Sequence, residues 1–254
     1  MPELPDVEIL RLYFDSTCLG KRIDQVTISS ERIVRGTPHS HFYHFLTGKT
    51  LTASRRHGKY LFAQTDGQRW LAFHFGMTGS LRYFDRLEAD PAHDRFRLAF
   101  SGGGFLAYTS VRLLGRVALI GSVSEFVDKQ LLGPDAMSMS STDFMAALGR
   151  TQLPVKAALM NQSLVAGIGN IYSDEILFQA RIHPLTPCTH LSPASLGALY
   201  RAMRGVLTSA IAVQADPKRL PRQFLIPHRK PGVPCPQCEG TVIRIRIKGR
   251  SAYL

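Results

Sequence analysis

At Leu132-Gly133-Pro134-Asp135 the chain changes its hydrophobic rhythm. From Arg22 to about Ile120 the apolar residues fall in short β-rich runs: KRIDQVTIS, GKYLFAQ, RWLAFHF, RFRLAF, FLAYTS and GRVALI. Turn chemistry separates several of them, notably Thr65-Asp66-Gly67 and Gly102-Gly103-Gly104, as strand reversals require. Beyond the break strands give way to helical spacing over about 142–149, 154–161, 170–179 and 193–213, where apolar residues recur every three or four positions. The chain has 254 residues, 44% of them hydrophobic, enough for one large domain or two ordinary ones. The expectation is an α+β protein with a β-sandwich first and a helical domain second.

A helix precedes the strands. Val7, Leu10, Phe14 and Cys18 share one face and Gly20 supplies a stop, so residues 6–19 read as an amphipathic helix with Cys18 in the core. In the second half, NQSLVAGIGNIYSDEILF places Gly167 and Gly169 where a tight turn is permitted and Asn170 where it can cap the next helix. Free amides at that helix start would suit a phosphate; an ordinary helix-to-helix turn is the alternative. At the end Ile243, Ile245 and Ile247 alternate with Arg244, Arg246 and Lys248, giving a strand with one apolar and one cationic face. With Cys235-Pro-Gln-Cys238 before it and Lys248-Gly249-Arg250 after it, this segment predicts a β-hairpin with a knuckle, a unit that needs a staple or a docking partner.

Charge narrows the function. Lys and Arg number 31 against 19 acids, a net charge of +12, beyond what solubility requires. From Ala215 to Leu254 nine cations (Lys218, Arg219, Arg222, Arg229, Lys230, Arg244, Arg246, Lys248 and Arg250) face only Asp216 and Glu239, so this stretch carries +7. Such a surface neutralises phosphates without reading sequence, and a merely solvated basic face is the bland alternative. No apolar run reaches 18 residues and the opening is acidic and proline-broken, so neither a membrane span nor a signal peptide is expected. Four cysteines, two of them paired as CPQC, fit a reducing compartment, and a cytoplasmic, nucleoid-associated protein is expected.

The opening MPELPDVEILR raises a chemical possibility. Removal of Met1 leaves Pro2 as a secondary amine beside the carboxylate of Glu3. A terminal amine titrates near ~7.7–8.0, so part of it is uncharged at neutral pH and can act as a nucleophile. Pro2 and Pro5 also stiffen a helix entry, which is the structural alternative.

In six ordered stretches the chain resembles the formamidopyrimidine-DNA glycosylase and endonuclease VIII (Fpg/Nei) family: PELPDVE, GKYL, HFGMTGSL, LGPD, NQSLVAGIGNIYSDEILFQARIHP, and PCPQC through KGRSAY. Six matches in register carry far more weight than any one. The resemblance implies a catalytic helix and sandwich over 1–133, a helix-two-turn-helix domain over 134–221, and a zinc-finger-like hairpin over 222–254. It implies a bifunctional glycosylase and abasic-site lyase acting on damaged double-stranded DNA, normally as a monomer. Pro2 would form a Schiff base with C1′ of the damaged nucleotide, followed by β,δ-elimination. Glu3 would serve as acid and base, and Lys59 would contact the lesion-flanking phosphate. Met77, Arg112 and Leu114 correspond to residues that fill the void left by a flipped base. Lys156, Asn170 and Arg250 match phosphate contacts, which position DNA in a cleft between the domains.

The chain departs from the family pattern in four places. Asp6 stands where members commonly have Glu, and Leu114 where many purine-specific members have Phe. A structural Zn²⁺ needs four ligands, and Cys235 and Cys238 form only a half-site; a chain cut short of its second CxxC and a finger without zinc are both open. The stretch ADPKRLPRQFLIPHRKPG is short where members that hold 8-oxoguanine carry a capping loop. Formamidopyrimidines, 8-oxoguanine and oxidised pyrimidines are therefore all open as substrates, and a non-catalytic damaged-DNA-binding relative is the competing class.

Overall fold

The computed structural model describes residues 1–34, 37–86, 91–247 and 249–254; Lys248 of the basic tail lies outside them. The chain forms two compact units, one of Met1–Pro2 with Val7–Gln130 and the other of Glu3–Asp6 with Leu131–Leu254. Helix α1 (Leu4–Cys18) therefore begins in the second unit and continues in the first. It starts two residues earlier than its apolar spacing predicts. Pro5 sits in the first turn, where its missing N–H costs nothing, and the Asp6 carboxylate accepts the Glu3 N–H at 2.8 Å.

The first unit is a sandwich of two antiparallel four-stranded sheets. Strands β1 (Ile23–Ile28), β2 (Leu51–His57), β3 (Tyr60–Thr65), β4 (Trp70–His74), β5 (Gly79–Phe84), β6 (Asp94–Phe100), β7 (Phe105–Ser110) and β8 (Arg116–Ile120) assemble in the orders β1-β6-β7-β5 and β2-β3-β4-β8. In β6 the alternation in RFRLAF sends Phe96, Leu98 and Phe100 inward. They meet Leu61, Ala63, Leu71 and Phe73 of the opposite sheet, with Val7, Phe14 and Cys18 of α1 against the same core. Each such fully buried large side chain contributes about 1.5–3 kcal/mol. Helix α2 (His39–Leu46) adds Phe42 and Leu46, and α3 (Val123–Lys129) covers Phe62, Trp70 and Ala72 through Phe126.

The second unit is helical, with α4 (Ser141–Gly149), α5 (Val155–Leu159), α6 (Asn170–Ala180) and α7 (Pro193–Ala212), followed by the hairpin β9 (Arg244–Ile247) and β10 (Arg250–Tyr253). Ser192 caps α7 by accepting the Ser195 N–H at 3.1 Å. The buried face of α7, Leu196, Leu199, Met203, Val206, Leu207 and Ala210, packs on α4 and α6. Within the hairpin Ile247 and Ala252 are buried while Arg244, Arg246 and Arg250 face solvent. Ile243 lies before β9 and is half exposed, although its N–H and carbonyl still pair with Leu254. Among the described residues no helix is long and apolar enough to cross a membrane.

Candidate functional site

The start of α6 organises the second unit. A helix leaves its first amides without internal partners, and its dipole favours an anion there. The anion is internal. The buried Glu3 carboxylate accepts Gly169 N–H at 2.7 Å and Tyr172 N–H at 3.2 Å on Oε2, and Ile171 N–H at 2.8 Å on Oε1. This corrects two sequence expectations. Gly169, not Asn170, is the N-cap and Asn170 is the first helical residue; and the amides expected to be free for phosphate are taken by Glu3. Neither point was legible locally, because the partner lies 166 residues away in sequence.

The glycines follow from the same contact. A Cβ on Gly169 would stand 2.3 Å from Glu3 Cδ, and one on Gly167 2.5 Å from Leu4 Cδ1. Gly167 also has φ +116, a left-handed conformation that favours glycine. Leu4 N–H donates to Gly167 O at 3.0 Å, and Gln162 braces the turn through Gly167 N–H and Ile168 O. Both glycines thus make room for the N-terminal segment. Pro2, partly exposed, immediately precedes this fixed carboxylate. Burial raises the Asp6 carboxyl above its ordinary range, with the Glu3 N–H opposing.

In the first unit Lys59 follows the left-handed Gly58 at the reversal between β2 and β3 and is 8% exposed. Near it burial, with the charges of Lys59 and Arg116, pushes the His74 imidazole down to about 4. His74 is therefore neutral at pH 7, and its Nδ1 accepts the Gly76 N–H at 3.3 Å. Sequence reading missed His74, whose environment arises from neighbouring strands. Met77, Arg112 and Leu114 come together at the sandwich edge. Arg112 Nη1 lies 3.1 Å from Met77 Sδ and its N–H donates to Thr78 Oγ1 at 3.1 Å. The loops abut so closely that a Cβ on Gly76 would stand 2.5 Å from the Leu114 carbonyl carbon. Left-handed Leu113 precedes Leu114, and Met77 (43%) and Leu114 (55%) project into solvent. Two apolar side chains and a guanidinium thus stand exposed beside the sheets.

The remaining predicted residues lie in the second unit. Lys156 is buried, and its ammonium donates to Asn170 O at 3.2 Å, Ser173 Oγ at 3.1 Å and the Asp174 carboxylate. Its three protons are thereby engaged by protein acceptors. Burial lowers the lysine from its ordinary range, with Asp174 opposing. Asn170 Oδ1 is buried without a hydrogen-bond partner. Exposed Arg250 and Lys156 line one cavity of about 240 Å³ together with Ala157, Met160, Asn161 and Ile247. Sequence reading also missed Asp174 and Glu175. Both are buried on α6, and Glu175 accepts Leu225 N–H at 3.1 Å and Ile226 N–H at 2.7 Å. Two adjacent acids immediately before the apolar Ile176-Leu177-Phe178 were the available signal.

Cys235 and Cys238 stand at the knuckle before the hairpin, with Gln237 N–H directed to Cys235 Sγ at 3.5 Å. Members of the family usually hold structural zinc there. Among the described residues no group of three or more His, Cys, Asp or Glu could hold a metal ion. Two thiols do not complete a tetrahedral site, so the residues present do not fit the ion.

A β-sandwich, a helix-two-turn-helix body with a carboxylate locked at a helix start, and a basic hairpin define a class of DNA-repair scaffold. The comparisons agree. Residues 1–117 match the formamidopyrimidine-DNA glycosylase N-terminal domain and residues 132–220 the H2TH domain of the same enzymes. A formamidopyrimidine-DNA glycosylase of Listeria innocua is 31% identical over all of this chain and 97% of its own length. A solved complex of the Lactococcus lactis Fpg with an abasic site containing DNA superposes with a TM-score of 0.89 at 29% identity, covering 99% of this chain and 97% of that one. The wild-type Lactococcus lactis Fpg with N7-benzyl-Fapy-dG containing DNA gives 0.89 at 30% identity over the same shares. The chain belongs to the formamidopyrimidine-DNA glycosylase family.

Proposed function

We infer that this chain is a DNA glycosylase of base excision repair with abasic-site lyase activity, acting on damaged duplex DNA. The carrying observation is the Glu3 carboxylate, held by three amides of one helix start and covalently next to Pro2. After loss of Met1, the Pro2 nitrogen attacks C1′ of the damaged nucleotide. The C1′–base bond breaks, the base leaves with the proton shed by the Pro2 nitrogen, and the sugar ring opens to an iminium on Pro2, which water hydrolyses once the eliminations that follow are complete. Loss of a C2′ proton then expels the 3′ phosphate, and a second elimination expels the 5′ phosphate. Glu3 gives a proton to the opening ring oxygen and takes protons in the later steps. Its fixed position makes it effective, since a group within hydrogen-bond reach contributes about 10²–10⁴-fold.

The other assignments follow from placement. Lys59 and Arg250 hold phosphates, and Lys156 supports the cavity that Arg250 lines, its own protons being engaged by protein acceptors. Asn170 joins them at the α6 start. Met77, Arg112 and Leu114 fill the space vacated by the flipped nucleotide. The boundaries follow the division into 1–133, 134–221 and 222–254, and the protein works in the cytoplasm on nucleoid DNA. Borohydride trapping tests the centre of this reading. Wild-type protein with an abasic-site duplex gives a covalent adduct after reduction, and Pro2→Gly gives none while still binding a tetrahydrofuran-containing duplex. Equal trapping by both proteins removes Pro2 from the nucleophile role.

A further inference from the structure

Asp174 is 2% exposed and lies between two cations that lead to different parts of the second unit. Oδ1 accepts the Lys156 ammonium, which also binds Asn170 O and so ties down the first turn of α6. Oδ2 accepts Arg229 Nε at 3.0 Å and Arg229 Nη2 at 2.7 Å. The Arg229 guanidinium in turn lies 4.3 Å from the centre of the Tyr253 ring. Tyr253 belongs to β10, three residues beyond Arg250 on the same strand. Arg250 pairs with Ile247, which lines the cavity that Arg250 and Lys156 share. One carboxylate thus joins the helix start, through Lys156, to the hairpin, through Arg229 and Tyr253.

We propose that Asp174 is a positioning residue for phosphate binding: through Arg229 and Tyr253 it sets the hairpin so that Arg250 and Lys156 face the same cavity. The proposal rests on the reading that Arg250 grips a DNA phosphate. The physical reason is that a short two-stranded hairpin is marginal alone and takes its orientation from what it docks on. The Asp174–Arg229 pair is buried on the acid side, where a charge-assisted contact is stronger and more directional than at the surface. Without it Tyr253 loses the guanidinium above its ring, and β10 is free to shift relative to α6.

The test is the salt dependence of binding to a tetrahydrofuran-containing duplex, which reports the number of phosphates neutralised. Loss of one phosphate contact lowers the magnitude of the slope of log K against log salt by about 1 and weakens binding about tenfold at moderate salt. Arg250→Gln, Asp174→Asn and the double variant are compared, each with its melting temperature. The expected result is the same lost slope and affinity in all three, the double variant being no worse than Arg250→Gln. A wild-type slope in Asp174→Asn, or losses that simply add, overturns the positioning role while leaving the Arg250 grip in place. A wild-type slope in Arg250→Gln instead sinks the grip, and the proposal built on it. Should Asp174→Asn fail to fold, Arg229→Gln carries the same expectation and the same refutation, because it breaks the route to the hairpin and leaves the buried Lys156–Asp174 pair intact.

Discussion

Gly169→Ala isolates the Glu3 cradle. Gly169 has φ −124 and ψ −155, an extended conformation open to alanine, so the substitution does not strain its own backbone. Its whole effect is steric. The new methyl would lie 2.3 Å from Glu3 Cδ and 2.5 Å from Oε1, so the carboxylate must leave its amides. The bonds at 2.7 and 2.8 Å are the firm ones. A hydrogen bond to a charged group contributes about 1.5–3 kcal/mol, and water or partial relaxation recovers some of it. A net destabilisation of about 2–4 kcal/mol follows, a fall in melting temperature of about 5–15 °C for a chain of this size. Catalysis should suffer more than stability: a displacement of about 1 Å at a reacting group costs on the order of 10²-fold. Single-turnover base excision from a lesion duplex, measured well below the new melting temperature, reads this directly. Trapping on a preformed abasic site shows whether Pro2 chemistry persists. A folded Gly169→Ala protein with wild-type excision would mean that the position of Glu3 is immaterial, and the cradle would lose its functional meaning.

Two further outcomes are expected. His74, pushed down to about 4 in the fold from its ordinary 6.5, binds fewer protons folded than unfolded; its contribution is present above pH 6.5 and is lost as pH falls towards 4. A shift of that size amounts to about 3 kcal/mol, so urea unfolding at pH 7 and pH 4.5 should show an acid loss that His74→Gln reduces; an identical loss in both proteins refutes it. Met77→Ala and Leu114→Ala should each slow excision from a duplex about tenfold, the equivalent of about 1.4 kcal/mol of barrier, while leaving the cutting of a single-stranded abasic site unchanged. Equal slowing on both substrates would remove the wedge role.

What the sequence revealed followed the directness of the physical signal. The alternation in RFRLAF became β6, and the long apolar stripe behind Ser192 became α7. Strand β2 escaped because TASRRH has no apolar alternation; its Arg56 instead bonds Glu8 of α1 at 2.9 Å, an ion pair invisible to periodicity. Helix α2 escaped because HSHFYHFL is rich in His and aromatic residues of modest helix propensity, and it forms because Phe42 and Leu46 reach the sandwich core. Strand β5 and helix α3 are likewise held by neighbours: β5 pairs with β7, and α3 is anchored by Phe126. Among the site residues, Glu3 was named from the opening motif, and Met77, Arg112 and Leu114 through the family resemblance. The bond from Glu3 to the α6 amides, and the placement of Asp174 between two cations, required the tertiary fold.

The misplaced phosphate at the α6 start shows how one anion excludes another. Bare helix-start amides suit any anion of the right size. Here the Glu3 carboxyl oxygens take the N–H groups of Gly169, Ile171 and Tyr172. A phosphate brought to the same amides would find their protons already engaged and the Glu3 oxygens in its place. The helix can hold its own acid or a phosphate, not both. On the proposed reading a DNA phosphate gripped in this unit is met apart from those three amides, by the exposed guanidinium of Arg250, which lines one cavity with Lys156. On the same reading the helix start serves the Glu3 carboxyl and the hairpin serves the DNA strand, so losses at Gly169 and at Arg250 should fall on rate and on affinity respectively.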